Sequence, residues 1–382
     1  MMPAGLQRTL LTLAGAAVAV LLAVAVSSVA ILAAGASPVT ALEAMFDFGD
    51  TQNQVVNAIA FILNRAVPLF IAGLAVAIGF RMNLFNIGVE GQYRLAAIVA
   101  AFVGSQFVLP APIQLTVIVV VAMLVGGLYA LIPAVLKVTR GVNEVIATIM
   151  LNYIATNIAA FLVRGPFTGE RAAGQLTIST PELPESAWFP NLNFLFEMFG
   201  LPAPRSGLWG FLAVAVLLGV VVWVVLERTR FGFEVKASGL SASAALASGV
   251  NPKRMVISAM VLSGAVAGLI GLPEILGRTH SYGSNFTAGL GFLGIAVALL
   301  GRNKPVGIAV AALLFGFLDR AAAPLQFADI PPSVVAIIQG TIVLMVVIAN
   351  EITNRMSLRH EERRAARQLA ATPSQAKTEV AA

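Results

Sequence analysis

Cysteine is absent from this chain of 382 residues. That excludes disulfides and thiolate metal ligands, and it says little about compartment. His280 and His360 are the only histidines, and no His-Glu-x-x-His zinc motif occurs. There is no Gly-Lys dipeptide, so the chain lacks a GxxxxGK[ST] phosphate loop. A Gly-x-Ser-x-Gly nucleophile elbow is also missing. The chain therefore carries no nucleotide-hydrolysing or hydrolytic chemistry of its own, and we expect no enzyme. Charge is scarce: Asp, Glu, Lys and Arg make up 11% of the residues, against about 25% in soluble domains.

Apolar residues are abundant. They make up 58% of the chain, and the mean hydropathy is +0.89. Several runs approach the roughly 20 residues that span a bilayer. The reading is an all-α polytopic membrane protein embedded in a lipid bilayer. A net charge of +6 is then no sign of nucleic acid, because excess Lys and Arg collect in cytoplasmic loops. Ten spans are expected: 10–34, 55–80, 88–109, 113–136, 142–163, 207–226, 254–276, 287–301, 305–322 and 333–350. The first is longer than the roughly 7–15 apolar residues of a secretory signal, and we read it as a retained span. Thr51-Gln52-Asn53-Gln54 has capping-box spacing just before the second.

Loop charge sets the orientation. Residues 35–54 hold Glu43, Asp47 and Asp50 and no Lys or Arg, and 323–332 hold only Asp329; with 164–206 they read as outside. Lys137 and Arg140, the basic stretch 227–254, Arg302 with Lys304, and the tail beyond 350 read as inside. Arg278 departs from the pattern. Both termini then face the cytoplasm, which requires an even number of spans. Ten spans make two halves of five, and an odd number per half gives the halves opposite topology. We divide the chain into a first span with its outside loop (1–54), a permease-like core (55–350) and a charged tail (351–382). Within the core lie an outside loop at 165–206 and an inside loop at 227–254.

One stretch looks wrong for a lipid-facing helix. Residues 79–104, GFRMNLFNIGVEGQYRLAAIVAAFVG, carry Arg81, Asn83, Asn86, Glu90, Gln92 and Arg94, with Gly88 and Gly91. Polar groups and Gly-interrupted backbone at membrane depth face protein or a water-filled path. NFTAGLGFLGIAVALLG at 285–301 repeats the texture in the second half. Paired interruptions of this kind point to a path between inverted repeats, although small residues also serve close helix packing. In the fifth span Glu144, Thr148, Asn152 and Thr156 recur every four residues and form one stripe. Such a stripe serves equally to bond neighbouring helices or to line a cavity. We expect Asn86, Glu90 and Gln92 to line or brace a path, with Asn152 and Thr156 facing it and Phe85 and Phe292 as an aromatic wall. Glu90 can also act as an anchor, paired with Arg81 or Arg94. Arg65 lies deep in the second span and needs a partner. Glu274, after Pro273, reads as snorkelling to the outer interface.

The inside loop contains SASAALAS at 241–248, a short small-residue helix with Gly239 before it and Gly249 in the position of a C′ cap. A helix lying on the cytoplasmic face suits docking into a partner's groove. Its candidate docking residues are Gly239, Ser241, Ala244, Ala245 and Gly249.

LFNIGVEGQ at 84–92, GVNEVIATIMLNYIA at 141–155 and GLSASAALASGVNPKR at 239–254 together resemble permeases of ATP-binding-cassette importers. The branch is the ribose and branched-chain type, and the resemblance is strongest to nucleoside or simple-sugar permeases. It runs from about residue 55 to 350. It implies a second related permease subunit, a cytoplasmic ATP-binding subunit and an extracytoplasmic solute-binding protein, often a lipoprotein. It also implies a bacterial cytoplasmic membrane, no metal, and ATP used on the partner subunit. The stretch 239–254 corresponds to the one that contacts the ATPase. An ion-coupled secondary transporter with inverted repeats is the alternative, with Glu90 and Glu274 as its coupling carboxylates.

Overall fold

A computed structural model describes residues 21–170, 177–328, 330–331, 333–349, 352 and 355. The start of the expected first span (10–20) and nearly all of the 351–382 tail lie outside the described residues. The helices are α1 (Leu21–Ala33), α2 (Pro38–Phe46), α3 (Gln52–Arg81), α4 (Val89–Ser105), α5 (Ala111–Arg140), α6 (Glu144–Arg164), α7 (Phe194–Glu197) and α8 (Phe211–Arg228). They continue with α9 (Arg230–Leu240), α10 (Ala242–Ala247), α11 (Pro252–Gly268), α12 (Leu272–Glu274), α13 (Leu290–Leu300), α14 (Pro305–Phe327) and α15 (Ser333–Ala349). The only β feature among the described residues is one antiparallel bridge between Ser179 and Gly283.

Each of the ten apolar runs holds a helix. By length and composition, six of the described helical stretches can cross a membrane: α3, α5, α6, α8, α14 and Pro252–Thr279, which α11 begins. Taking α1 and α2 as one bent span makes seven. The helices α4, α13 and α15 are shorter, at 17 residues or fewer.

Two compact units divide the chain: residues 43–327, and residues 1–42 with 328–382. The second unit holds α1, which buries Ala23 and Ile31, and α15, which buries Val334, Val335 and Ile338.

In the larger unit, α3 and Pro252–Thr279 form the centre. In each, 67% of the most apolar window is buried, against 28% in α5, α6 and α8 and 39% in α14. The two central helices touch; α13 and α14 pack on α3, and α4 and α5 pack on α11. Glycine permits both crossings. A Cβ at Gly126 of α5 would lie 2.2 Å from the Gly264 carbonyl oxygen, and one at Gly316 of α14 would lie 2.6 Å from that of Ile62.

Local sequence sets the helix ends. The Thr51–Gln54 capping box forms at the start of α3. Asn143, Thr229, Ser241 and Asn251 each accept a backbone N–H at a helix start. Pro252 occupies the first position of α11, where no backbone N–H is missed.

Candidate functional site

The chain breaks between α3 and α4, in the stretch that stood out in the sequence. Asn83 takes a left-handed φ of 54°, and residues 82–88 leave the helix. Met82 and Leu84 are buried with Ala134, Val235 and Met260. The irregular backbone is therefore packed in protein, where its polar groups can be satisfied.

The polar side chains here bond to one another and to backbone. Asn86 and Gln92 exchange two amide hydrogen bonds of 3.0 Å each. Asn86 Nδ2 also donates to Ser263 Oγ at 2.9 Å, and Ser263 donates to the Ala75 carbonyl at 2.6 Å. Asn152 of α6 accepts from the Gly91 N–H at 2.8 Å and donates to the Ile87 carbonyl at 2.9 Å. Gly91 is required for this contact: a Cβ there would lie 2.9 Å from both Ala155 Cβ and Asn152 Oδ1.

Glu90 joins the two interrupted segments. Its carboxylate accepts from the N–H of Gly289 at 2.9 Å and of Gly291 at 3.0 Å, at the start of α13. A carboxylate at a helix N-terminus complements the orphan N–H groups and the dipole. Arg94 Nε lies 3.2 Å from Glu90 Oε1. The Tyr93 hydroxyl sits between Glu90 Oε1 at 3.1 Å and the Thr287 carbonyl at 2.8 Å. Arg81, the other partner considered from sequence, pairs with Glu227 instead.

The stripe on α6 faces inward. Glu144, Thr148 and Asn152 are buried, and Thr156 is half-buried. Glu144 pairs with Lys137 Nζ at 2.5 Å, and Thr148 donates back to the Glu144 carbonyl at 2.7 Å. Phe85 is 48% exposed and meets Phe80 edge-on; Phe292 is 50% exposed. Asn86, Glu90, Gln92 and Asn152 thus come together as a buried, bonded cluster, and the two phenylalanines stand outside it.

An open polar site lies elsewhere. A cavity of about 420 Å³ opens between α3, the end of Pro252–Thr279, the 206–209 loop and α14. Its charges are paired within the wall. Arg65 Nε meets Asp319 Oδ2 at 2.5 Å, which supplies the partner that Arg65 required. Glu274 pairs with Arg278 and accepts from Thr287 Oγ1 at 2.8 Å, so it does not simply snorkel. Phe61 and Trp209 add aromatic wall. Asn64 fixes the loop by donating to the Gly207 carbonyl at 2.8 Å and accepting from the Trp209 N–H at 2.9 Å. The indole N–H of Trp209 is buried with no hydrogen-bond partner. Sequence reading found Arg65 and Glu274 but not Asp319, Trp209 or Thr287. Asp319 offered one signal: it is a lone carboxylate deep in an apolar run.

The stretch 227–254, which loop charge assigns to the inside, holds α9 and α10. Ser241 caps α10, and Gly249 adopts φ +79°, as a C′ glycine should. Ala245 is buried at 2% exposure, while Leu240 and Leu246 are exposed at 76% and 62%. Ala244 is exposed. Gly239 touches the break itself: Asn83 Nδ2 donates to its carbonyl at 2.8 Å, and a Cβ there would lie 2.8 Å from the Arg81 carbonyl oxygen.

Residues 58–347 match the model of the family described as branched-chain amino acid transport system / permease component. The chain belongs to that family. It is 35% identical to a glucose ABC transporter permease protein of Haloferax volcanii, over 86% of this chain and 85% of the relative. It is 34% identical to a guanosine ABC transporter permease protein of Bacillus subtilis, over 86% and 91%. To a nucleoside ABC transporter permease protein of Lactococcus lactis it is 32% identical, over 74% and 76%. This permease is therefore a transport component and a multi-pass membrane protein, not an enzyme.

Proposed function

We propose that this permease is the membrane subunit of an ATP-binding-cassette importer that carries nucleosides or related simple sugars through the cytoplasmic membrane. A separate ATPase drives it, a solute-binding protein supplies it, and a second related permease completes the pathway. ATP is used on the ATPase subunit, and this chain needs no cofactor. Both termini face the cytoplasm. The chain crosses ten times in two inverted halves, and the packing supports this. α14 lies on α3 as α5 lies on α11, and α13 meets α3 as α4 meets α11.

The observation that carries the substrate class is the cavity beside Arg65. Its wall holds two cations and two carboxylates, already paired, so it presents no net formal charge. That suits a neutral solute. Phe61 and Trp209 suit a flat ring, and Thr287 and Ser206 suit hydroxyl and carbonyl groups. The volume of about 420 Å³ lies within the usual range of small-molecule sites. We infer that solute passes here, while Asn86, Glu90, Gln92 and Asn152 brace the path. The exposed Leu240, Ala244 and Leu246 on the inner face serve as the ATPase contact.

The ion-coupled alternative loses its carboxylates. Glu90 is held by two backbone N–H groups and Arg94, and Glu274 by Arg278 and Thr287. The test is reconstitution. The permease with its ATPase and binding protein in liposomes should accumulate labelled nucleoside only with ATP. Accumulation by this chain alone under an imposed proton or sodium gradient would overturn the importer reading.

A further inference from the structure

A second groove in the larger unit shares no lining residue with the polar cavity. It runs between α3, α8 and α14 and encloses about 420 Å³. Phe70, Val216, Trp223 and Val306 give it apolar walls. Gly219 lets α8 approach α3 here, since a Cβ would lie 2.7 Å from the Phe70 ring.

The groove ends at a cluster of cations. Arg81 closes α3, Glu227 sits in the last turn of α8, Lys236 lies on α9, and Arg302 and Lys304 precede α14; together they border about 480 Å³. Four cations face one carboxylate, and that carboxylate is paired with Arg81. Lys236 and Lys304 are exposed and make no ion pair among the described residues. Groove and cluster are continuous along two helices. Lys304 immediately precedes Pro305 and Val306 of the groove, and Trp223 of the groove is one turn before Glu227. The Arg228 guanidinium lies 5.1 Å over the Trp223 ring. Tryptophan and cations mark headgroup depth in membrane proteins. The buried Oδ1 of Asn303, inside the cluster, has no hydrogen-bond partner.

We propose that groove and cluster together bind one anionic glycerophospholipid of the inner leaflet. An acyl chain lies along α3, α8 and α14, and the phosphate sits among Lys236, Arg302 and Lys304. Basic pockets between membrane helices on the cytoplasmic side take such headgroups. A free phosphate would need no apolar groove, and a neighbouring protein helix would need no cation cluster. The inward placement rests on the orientation proposed above; the lipid site does not depend on which solute is carried.

The test uses the assembled transporter in nanodiscs of mixed phosphatidylglycerol and phosphatidylcholine. Lipid retained through purification is quantified by native mass spectrometry. The parent should retain phosphatidylglycerol over phosphatidylcholine. Lys236→Gln with Lys304→Gln should weaken that retention about 30-fold, from about 5-fold per cation. Val306→Trp, at a position 79% exposed, fills the groove and leaves the cations intact; it should also release the lipid. Elution of both variants as intact assemblies separates lost binding from lost folding. Where Val306→Trp fails to assemble, Ala309→Leu replaces it. Equal retention of the two lipids would overturn the proposal, as would retention that neither variant changes. It also fails if inorganic phosphate binds at these lysines and phosphatidylglycerol cannot displace it. A cysteine at position 216 that cross-links to the second permease would place a protein helix in the groove and end the lipid reading.

Discussion

Two polar regions of this permease invite opposite conclusions. The cluster at Asn86, Glu90, Gln92 and Asn152 is conspicuous in the sequence, yet its side chains are buried and bonded to neighbouring groups. The cavity at Arg65, Asp319 and Glu274 is scattered through the sequence, yet it is open. Buried polar groups with satisfied hydrogen bonds hold a structure together. Polar groups around an accessible space can exchange partners with a solute. Composition does not separate these cases, because both regions contain amides and paired charges. Solvent access does: the cluster is buried and the cavity is open.

Accessibility gives the sharpest test. The native chain has no cysteine, so single cysteines report cleanly. In the assembled importer, Phe61→Cys, Ser206→Cys and Thr287→Cys should react with a small water-soluble thiol reagent. Cysteines at 86, 92 and 152 should stay unlabelled in resting and nucleotide-trapped states. The reverse pattern would move the path into the cluster.

Stability gives the next largest effect. Glu90→Ala leaves the Gly289 and Gly291 N–H groups and Arg94 without their carboxylate. Breaking a buried pair in this way costs about 3–5 kcal/mol. Thermal unfolding of the purified assembly should show the loss, with Glu90→Gln intermediate. A Glu90→Ala protein that melts like the parent but no longer transports would make Glu90 a path residue.

Gly239 tests whether the cluster region relays motion. Its backbone abuts Arg81 and Met82 at the break, so Gly239→Ala forces an overpacked contact costing about 1–3 kcal/mol. Solute moved per ATP hydrolysed should fall, while labelling of the cavity cysteines stays as in the parent. Unchanged coupling would detach α9 from the break functionally.

Arg65→Ala should lower uptake about 10-fold, equivalent to about 1.4 kcal/mol, with little change in melting. The pair is partly exposed, at 26% and 19%, so its structural worth is smaller than that of Glu90. The exchange Arg65→Asp with Asp319→Arg should recover part of the uptake. A melting loss as large as that of Glu90→Ala would erase the contrast between the two regions.

The smallest effect is one of pH. His280 stacks on Trp188 with ring centroids 4.1 Å apart. Burial lowers its pKa, opposed by the charge of Glu182. The unfolded loop binds a proton more readily than the folded one, so stability falls as pH drops below the ordinary histidine pKa. Protection factors for the amides of residues 177–189, corrected for the intrinsic pH dependence of exchange, should fall modestly between pH 7 and 5, and His280→Phe should remove that dependence. Protection factors that do not change with pH in the parent would leave His280 without a role in the loop's stability.

The membrane class and the position of every helix expected within the described residues were legible in the sequence, because apolar run length and capping residues are local properties. The sequence also located the helix break at 82–88 and the short helix α10, through Gly, Asn and Ser at positions where the backbone demands them. It marked Arg65 as needing a partner and could not name one. That partner, Asp319, is 254 residues away, and the N–H groups that hold Glu90 are 199 and 201 residues from it. Which polar residues are buried and bonded, and which border an open space, follows from packing. Periodicity records that a side chain turns inward, whereas hydrogen-bond saturation depends on the distant element that packing brings against it.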